Sequence, residues 1–372
     1  MEQVVQIERV GREGQGVGSD SEGNLYFVPG ALPGDRVRVL YRSEKRYRES
    51  ELVEVLEPST ERKDPECVYF GTCGGCDWLH WEYSAQVKAK ESILSHLLNR
   101  SGWEGTNFKG VIPSDKPLHY RQRIQLHQRG TKLGFCKRGS GEIVEIETCL
   151  VARPELNAAI ALLKDQSADS HKRRVELISG EDDEVQAWVA DREGNDPTGF
   201  LQIHPEQNEE LRKLVGEAAK GSRKVLELYC GNGNLTFAYR PSVQTIFAFD
   251  ANEHGIESAR QDLKADQREG AETIFVADHV NQKLVGKLPK GFRDGYDTLI
   301  LDPPRVGIGK PLSTFLHEGL EKIIYVSCSP ISFAKDVECL KADYILSEVV
   351  GVDMFPQTRH VELVATFIRK SC

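Results

Sequence analysis

The chain has 372 residues and a formal net charge of −9, with 28% charged and 8% aromatic residues: a globular composition with room for two or three domains, not that of a disordered tail. No apolar run approaches the length of a membrane span, and the acidic start MEQVVQIERV is no secretory signal, so a cytoplasmic protein that meets no membrane is expected. Nine cysteines, an odd number, then argue for metal binding or catalysis over a disulfide frame.

Residues 1–58 read as a small all-β unit. Short alternating runs (VVQIERV, NLYFVPG, RVRVLY, ESELVEVLE) are split by glycine-rich turns, a pattern that suits an oligonucleotide-binding barrel. Arg36, Arg38, Arg42, Lys45, Arg46 and Arg48 lie close together, with Tyr41 and Tyr47 interleaved. Cations of this kind meet phosphates and tyrosines stack on bases, so RNA contact is expected here despite the negative total charge. The plainer reading is the solvated face of an ordinary barrel.

Residues 59–200 form a second, α+β region. It opens with CVYFGTCGGCDW, which sets Cys67, Cys73 and Cys76 around two glycines. Three thiols this close wrap readily around one metal centre, zinc or iron–sulfur. A fourth ligand must come from afar; Cys149 is the first candidate and Cys136 the second. Residues 86–99 have helical spacing. RQRIQLHQ and KLGFCKR read as paired strands bearing a second basic cluster (Arg121, Arg123, Arg129, Lys132, Lys137, Arg138), with a short helix over 156–163 and a hairpin over 173–190 after it. The acidic GEDDE stretch reads as the turn of that hairpin.

From 201 to 372 strands alternate with helices, the pattern of a doubly wound, mostly parallel α/β sheet. FLQIH reads as a strand leading to a helix. VLELY then runs into CGNGN, where Gly231 and Gly233 allow a sharp turn and close approach of a ligand. Thr236 stands where a dinucleotide fingerprint wants a third glycine, which counts against a nicotinamide enzyme. Asp250 ends the next strand and suits two ribose hydroxyls; Asp278 ends the third and suits an adenine amine. Together they fit the nucleoside of S-adenosylmethionine (SAM). Asp302 ends the fourth strand in LDPPR, where two prolines stiffen the chain and Arg305 takes the place an amino-methylating enzyme gives to an aromatic. A helix is expected over 311–320. KIIYVSCSP follows: an apolar run that delivers Cys328 to a strand's carboxyl end, where ligands of such sheets bind. Alone, Cys328 reads as a small buried apolar side chain. The last two strands, YILSEVVGVDMF and VELVATFIRK, have no helix between them, so one is expected to run antiparallel.

Taken together, the four cysteines, LDPPR, YVSCSP and DMFPQTRHVE resemble the SAM-dependent RNA 5-methyluridine (uracil-C5) methyltransferases. The narrower likeness is to their branch with a TRAM barrel and a [4Fe–4S] cluster, typified by 23S rRNA enzymes. The likeness covers nearly the whole chain. It implies a SAM methyltransferase domain with a Rossmann-like sheet, an N-terminal OB-like TRAM barrel and a central iron–sulfur and RNA-binding domain, with the helix near 86–99 packed on the catalytic domain. It implies Cys328 as nucleophile and Glu362 as general base. It implies Gln202, Tyr229, Asn234, Asp250, Asp278 and Asp302 around cofactor or target base, beside Gly231 and Gly233. Cys67, Cys73, Cys76 and Cys149 become the cluster ligands. RNA is the implied partner, rRNA first and tRNA second. Ser329 and Gln357 depart from the family pattern, which has Asn in the first place and a histidine or similar residue in the second; both are expected beside the active site. Three other readings stand beside this one: a non-catalytic RNA-binding protein or iron–sulfur sensor on the same scaffold, a tRNA target, and methylation at cytosine C5.

Overall fold

The computed structural model describes residues 1–42, 46–103, 105–164, 173–180, 182–190, 201–293 and 295–371. In chain order the elements are β1 (Glu2–Val10), β2 (Gly16–Ser19), β3 (Leu25–Val28), β4 (Arg36–Tyr41), β5 (Tyr47–Glu57), α1 (Tyr83–Arg100), β6 (Asn107–Ile112), β7 (Arg123–Arg129), β8 (Lys132–Cys136), β9 (Ile143–Glu145), α2 (Pro154–Lys164), β10 (Arg173–Ser179) and β11 (Val185–Ala190). Next come α3 (Pro205–Ala218), β12 (Lys224–Leu228), α4 (Thr236–Tyr239), β13 (Thr245–Asp250), α5 (Glu253–Ala265), β14 (Glu272–Ala277), α6 (Leu284–Lys287), α7 (Lys290–Arg293), β15 (Thr298–Leu301), β16 (Lys322–Ser327), α8 (Pro330–Asp336), β17 (Tyr344–Val352) and β18 (Glu362–Arg369). Among the described residues, no helix is long and apolar enough to cross a membrane.

The chain divides into two compact units, each discontinuous in sequence. The first holds 1–93, 115–194 and 355–359. Its N-terminal part is a closed barrel in the order β1-β2-β3-β5-β4. Val5, Ile7, Tyr26, Val28, Val37 and Val39 alternate inward and fill it. Gly18 is obligatory in β2, since a Cβ there would sit 2.1 Å from the Gln6 carbonyl oxygen. The same unit carries an antiparallel sheet, β11-β10-β7-β8-β9, with Leu156 and Ile160 of α2 packed on Leu126, Leu133 and Leu177.

The second unit holds 94–114, 195–354 and 360–372. Its eight strands run β14-β13-β12-β15-β16-β18-β17-β6. The first five pair in parallel. β18 is antiparallel to both its neighbours, as the missing helix foretold. β16 has Ile323, Ile324, Tyr325 and Val326 fully buried, each aliphatic worth about 1.5–3 kcal/mol of burial. Strand order reverses around β12, so the crevice for a ligand opens at the carboxyl ends of β12 and its neighbours. Leu94–Arg100 of α1 belongs to this unit.

Some local expectations fail. The sheet gains β6, whose sequence NFKGVI lacks a clean period. In FLQIH, Phe200 lies outside the described residues and Leu201–His204 form no strand; Pro205 starts α3 at once. The helix expected over 311–320 is only a 3-10 turn at Lys310–Phe315, because HEGLE offers no apolar stripe. Glu181 of the acidic stretch lies outside the described residues; Asp182 and Asp183 form the turn.

Candidate active site

The carboxyl end of β16 and the amino end of β18 meet. Their ladder ends at the pair Ser327–Leu363, so Cys328 and Glu362 each lie one residue past that last pair. Glu362 is only 3% exposed, contrary to what a charged residue at a strand start ordinarily does. Burial pushes its carboxyl well above the usual range; Asp302 adds to the rise and Arg305 opposes it. Cys328 is pushed up to about 12 by burial, then by Glu362 and Asp302, with Arg305 again opposing. Asp302, just past β15, is held at about 7 by burial and by Asp250. One thiol, two carboxyls and one guanidinium therefore act on each other at the strand ends.

Ser329 is the N-cap of α8: its hydroxyl accepts from the Ser332 backbone N–H at 3.4 Å and donates to Ser332 Oγ at 3.0 Å. Asn and Ser are about equally good N-caps, so this departure keeps the local structure. Gln357 does something else. Its side chain accepts from Gln86 Nε2 at 2.9 Å and donates to the Pro117 carbonyl at 3.3 Å, fastening the Phe355–Arg359 segment within the first unit.

At the end of β12, Tyr229 and Gly231 have positive φ (64° and 56°), as does Gly233 (84°). A Cβ at Gly231 would meet nothing within 4 Å, so the backbone lies open to a ligand there. Asp250 steadies this turn: one carboxylate oxygen accepts from Gly231 N at 2.9 Å, the other from Asn252 N at 2.7 Å. Burial, then Asp336 and Asp250, push the Tyr229 hydroxyl up to about 12. Asn234 and Asn208 of α3 exchange amide hydrogen bonds at 2.8 and 2.9 Å. Asp278 is ion-paired with Lys287, which holds its carboxyl below the usual range. Gln202 is buried just before α3.

Glu227 was missed. It lies 1% exposed within β12, with Oε2 accepting from Thr236 and Tyr239 hydroxyls and Oε1 meeting no partner among the described residues. Burial holds it at about 7. The signal was present, an acid inside a strand otherwise apolar in VLEL.

In the first unit, among the described residues, no set of three or more His, Cys, Asp or Glu side chains stands in metal-holding geometry. The four predicted thiols nonetheless act on one another. Burial pushes Cys76 up to about 12, and Cys149, Cys73 and Cys67 add to it while Arg121 opposes. Cys73 and Cys149 are likewise raised by burial, with Cys149 and Cys67 adding at Cys73 and Cys67 adding at Cys149. A backbone N–H points at one of the sulfurs, Gly75 at Cys73 at 3.4 Å, while the Ala152 N–H donates to the Cys149 carbonyl at 3.1 Å. Cys136 gives its carbonyl to Gly74 N.

The basic clusters are partly internal. Arg48 is buried over the rings of Tyr26 and Tyr41 (5.1 and 4.6 Å) and faces Asp20. Arg36 and Arg38 pair with Glu57 and Glu54. Lys45 lies outside the described residues; Arg42, Arg46 and Tyr47 are exposed. Arg121 Nε donates to the Tyr120 hydroxyl at 3.3 Å, with Cys76 and Cys149 as further acidic neighbours, and Arg123 is bonded to Glu176. Alternation and spacing alone do not separate cations that face solvent from cations that face a partner inside.

The family described as tRNA (Uracil-5-)-methyltransferase matches residues 192–370, and the TRAM domain family matches 1–41. An uncharacterized RNA methyltransferase of Bdellovibrio bacteriovorus is 32% identical over 96% of this chain and 93% of its own length. The 23S rRNA (uracil(1939)-C(5))-methyltransferase RlmD of Chromohalobacter salexigens is 30% identical over 98% of this chain and 88% of its own. Among solved structures, the Pyrococcus abyssi tRNA (uracil-54, C5)-methyltransferase, in complex with S-adenosyl-L-homocysteine, superposes with a TM-score of 0.74 at 26% identity, covering 99% of this chain and all of that one.

Proposed function

The chain belongs to the SAM-dependent RNA 5-methyluridine methyltransferase family, and on that premise we propose that it methylates C5 of a uridine in 23S rRNA through a covalent bond between Cys328 and uracil C6. The convergence of Cys328, Glu362, Asp302 and Arg305 carries this reading. Uracil C5 is a weak nucleophile. Addition of the Cys328 thiolate to C6 moves electron density to C5. When bound, SAM supplies an electrophilic methyl group. Once C5 carries the methyl, Glu362 takes the C5 proton, the C6–S bond breaks, and the ring double bond and free Cys328 return. General-base help of this kind is worth about 10²–10⁴-fold.

The electrostatics support these roles. Burial raises both carboxyls, Asp250 adds to the rise at Asp302 and Asp302 adds to it at Glu362, so the two do not both ionise as readily as usual. A protonated carboxyl no longer repels the thiolate, and Arg305 favours it. Asp302 in its protonated form can donate to the uracil edge. Gln202, Tyr229, Gly231, Gly233, Asn234, Asp250 and Asp278 are the proposed surroundings of SAM, the open backbone at Gly231 being the strongest support.

In the first unit Cys67, Cys73, Cys76 and Cys149 are the proposed holders of a [4Fe–4S] cluster, supported by their mutual influence and by the Gly75 N–H donor at Cys73. A cluster would hold these sulfurs as thiolates, which burial alone opposes. The proposed compartment is the cytoplasm.

The relative named for 23S rRNA favours an rRNA target; the tRNA enzyme of similar fold supports the second reading, a tRNA uridine. Incubation with SAM and total RNA, followed by nucleoside mass spectrometry and site mapping, separates them. The expected result is 5-methyluridine in 23S rRNA, abolished by Cys328→Ala. Unchanged product from that variant ends the nucleophile assignment, and methylated cytosine ends the uridine assignment.

A further inference from the structure

Pro304, Arg305, Val306 and Gly307 make a tight turn, closed by Gly307 N donating to the Pro304 carbonyl at 2.7 Å. Arg305 and Val306 are its two tip residues. Arg305 acts on Cys328 and Glu362. Val306 is 82% exposed, an apolar β-branched side chain held out in water on the same turn as Arg305. A single exposed valine ordinarily means nothing. This one sits on a turn fixed from several sides.

The fixing comes from α8. The Asp336 carboxylate accepts from Ile308 N at 2.8 Å, Gly309 N at 2.9 Å and the Tyr325 hydroxyl at 2.6 Å. Ser332 Oγ donates to the Arg305 carbonyl at 2.7 Å. Gly307 has φ 80°, and a Cβ there would come within 2.2 Å of Asp336 Oδ2. Such a turn has little conformational freedom left to lose when a ligand meets it. Rigid presentation of an apolar residue is the arrangement that wedge residues use between nucleic-acid bases.

We propose that Val306 is a wedge: it enters the RNA stack beside the target and fills the place the uridine leaves as it turns toward Cys328. This rests on the reading above that the substrate is a uridine in RNA. A uracil inside a stack cannot present C6 to a thiolate, and a base must be unstacked at some cost. A preformed apolar tip lowers that cost for stacked targets and does nothing for targets already unstacked.

The test uses the full chain and two RNA oligonucleotides, one with the target uridine stacked between purines and one with abasic sites on both sides of it. Val306→Ala should lower kcat/KM on the stacked RNA by about tenfold, and Val306→Asp by more, while Val306→Ile keeps it and the abasic RNA responds within about twofold. Equal losses on both RNAs, or none on the stacked one, overturn the wedge. A 2-aminopurine placed next to the target reads unstacking without turnover: its fluorescence should rise with the parent protein and not with Val306→Ala. A parent protein that unstacks the reporter but methylates neither RNA keeps the wedge and fails the proposed reaction; an unchanged reporter with both proteins fails the wedge.

Discussion

Cys328 and Glu362 both lie next to the Ser327–Leu363 pair that ends the β16–β18 ladder. Only an antiparallel β18 does this. A parallel strand in the same slot would bring its carboxyl end, Arg369, to the place where Glu362 now lies. The strand reversal that breaks the otherwise parallel sheet is thus what pairs a thiol with a buried carboxyl.

From that pairing, Glu362→Gln should form the bond to C6 and accept the methyl but fail to lose the C5 proton. A protein–RNA species stable to denaturing electrophoresis is expected, with one methyl per trapped chain and steady turnover down by about 10²–10⁴-fold. Turnover at the parental rate would remove Glu362 from the reaction.

Asp302 gives a stability prediction. Its folded pKa, about 7, lies above the ordinary 3.8, so the folded chain holds this proton more tightly than the unfolded chain. The stabilising contribution is complete below about pH 3.8 and is lost as pH rises through about 7. Asp302→Asn never ionises. Its Tm relative to the parent should therefore climb by a few degrees between pH 5 and pH 8. A gap that stays constant over this range would mean that Asp302 titrates at its ordinary value.

Most of the second unit was legible because buried parallel strands read as apolar runs and their ends carry Asp250, Asp302 and Cys328 in sequence order. Glu362 was legible only through the family likeness; nothing local in HVELV says that it is buried. The brace at Asp336 was hidden too, since its partners Ile308, Gly309 and Tyr325 are backbone groups and a distant hydroxyl that no spacing reveals. Arg48 and Arg121 were misread because sequence gives charge without direction. The edge strand β6 escaped because it pairs on one side only and carries little apolar signal.

Ser329 ties local structure to rate. Ser329→Ala removes the side-chain acceptor that caps α8, a loss of about 1 kcal/mol. The residue next to Cys328 then loses its anchor, so kcat should fall with KM for RNA little changed. Ser329→Asn should match the parent in both stability and kcat. If Asn proves as poor as Ala, the hydroxyl acts on the substrate and not as a cap.

The cysteine set gives the last prediction. Protein purified without oxygen should be brown, with broad absorbance near ~400 nm from cysteine-ligated iron. Cys149→Ser should lose this colour, because Cys149 acts on Cys73 and Cys76, whereas Cys136→Ser should keep it. Removing the iron with a chelator leaves buried thiols to reprotonate beside the Arg121 guanidinium, which has Tyr120, then Cys76 and Cys149, as its acidic neighbours. Arg121 then sits buried against neutral sulfur, and the first unit should melt at lower temperature while the SAM-binding unit keeps its affinity for S-adenosylhomocysteine, as read by calorimetry. Stoichiometric zinc without iron would give a colourless protein with the same four ligands. Loss of colour in Cys136→Ser but not in Cys149→Ser would reverse the assignment of the fourth thiol.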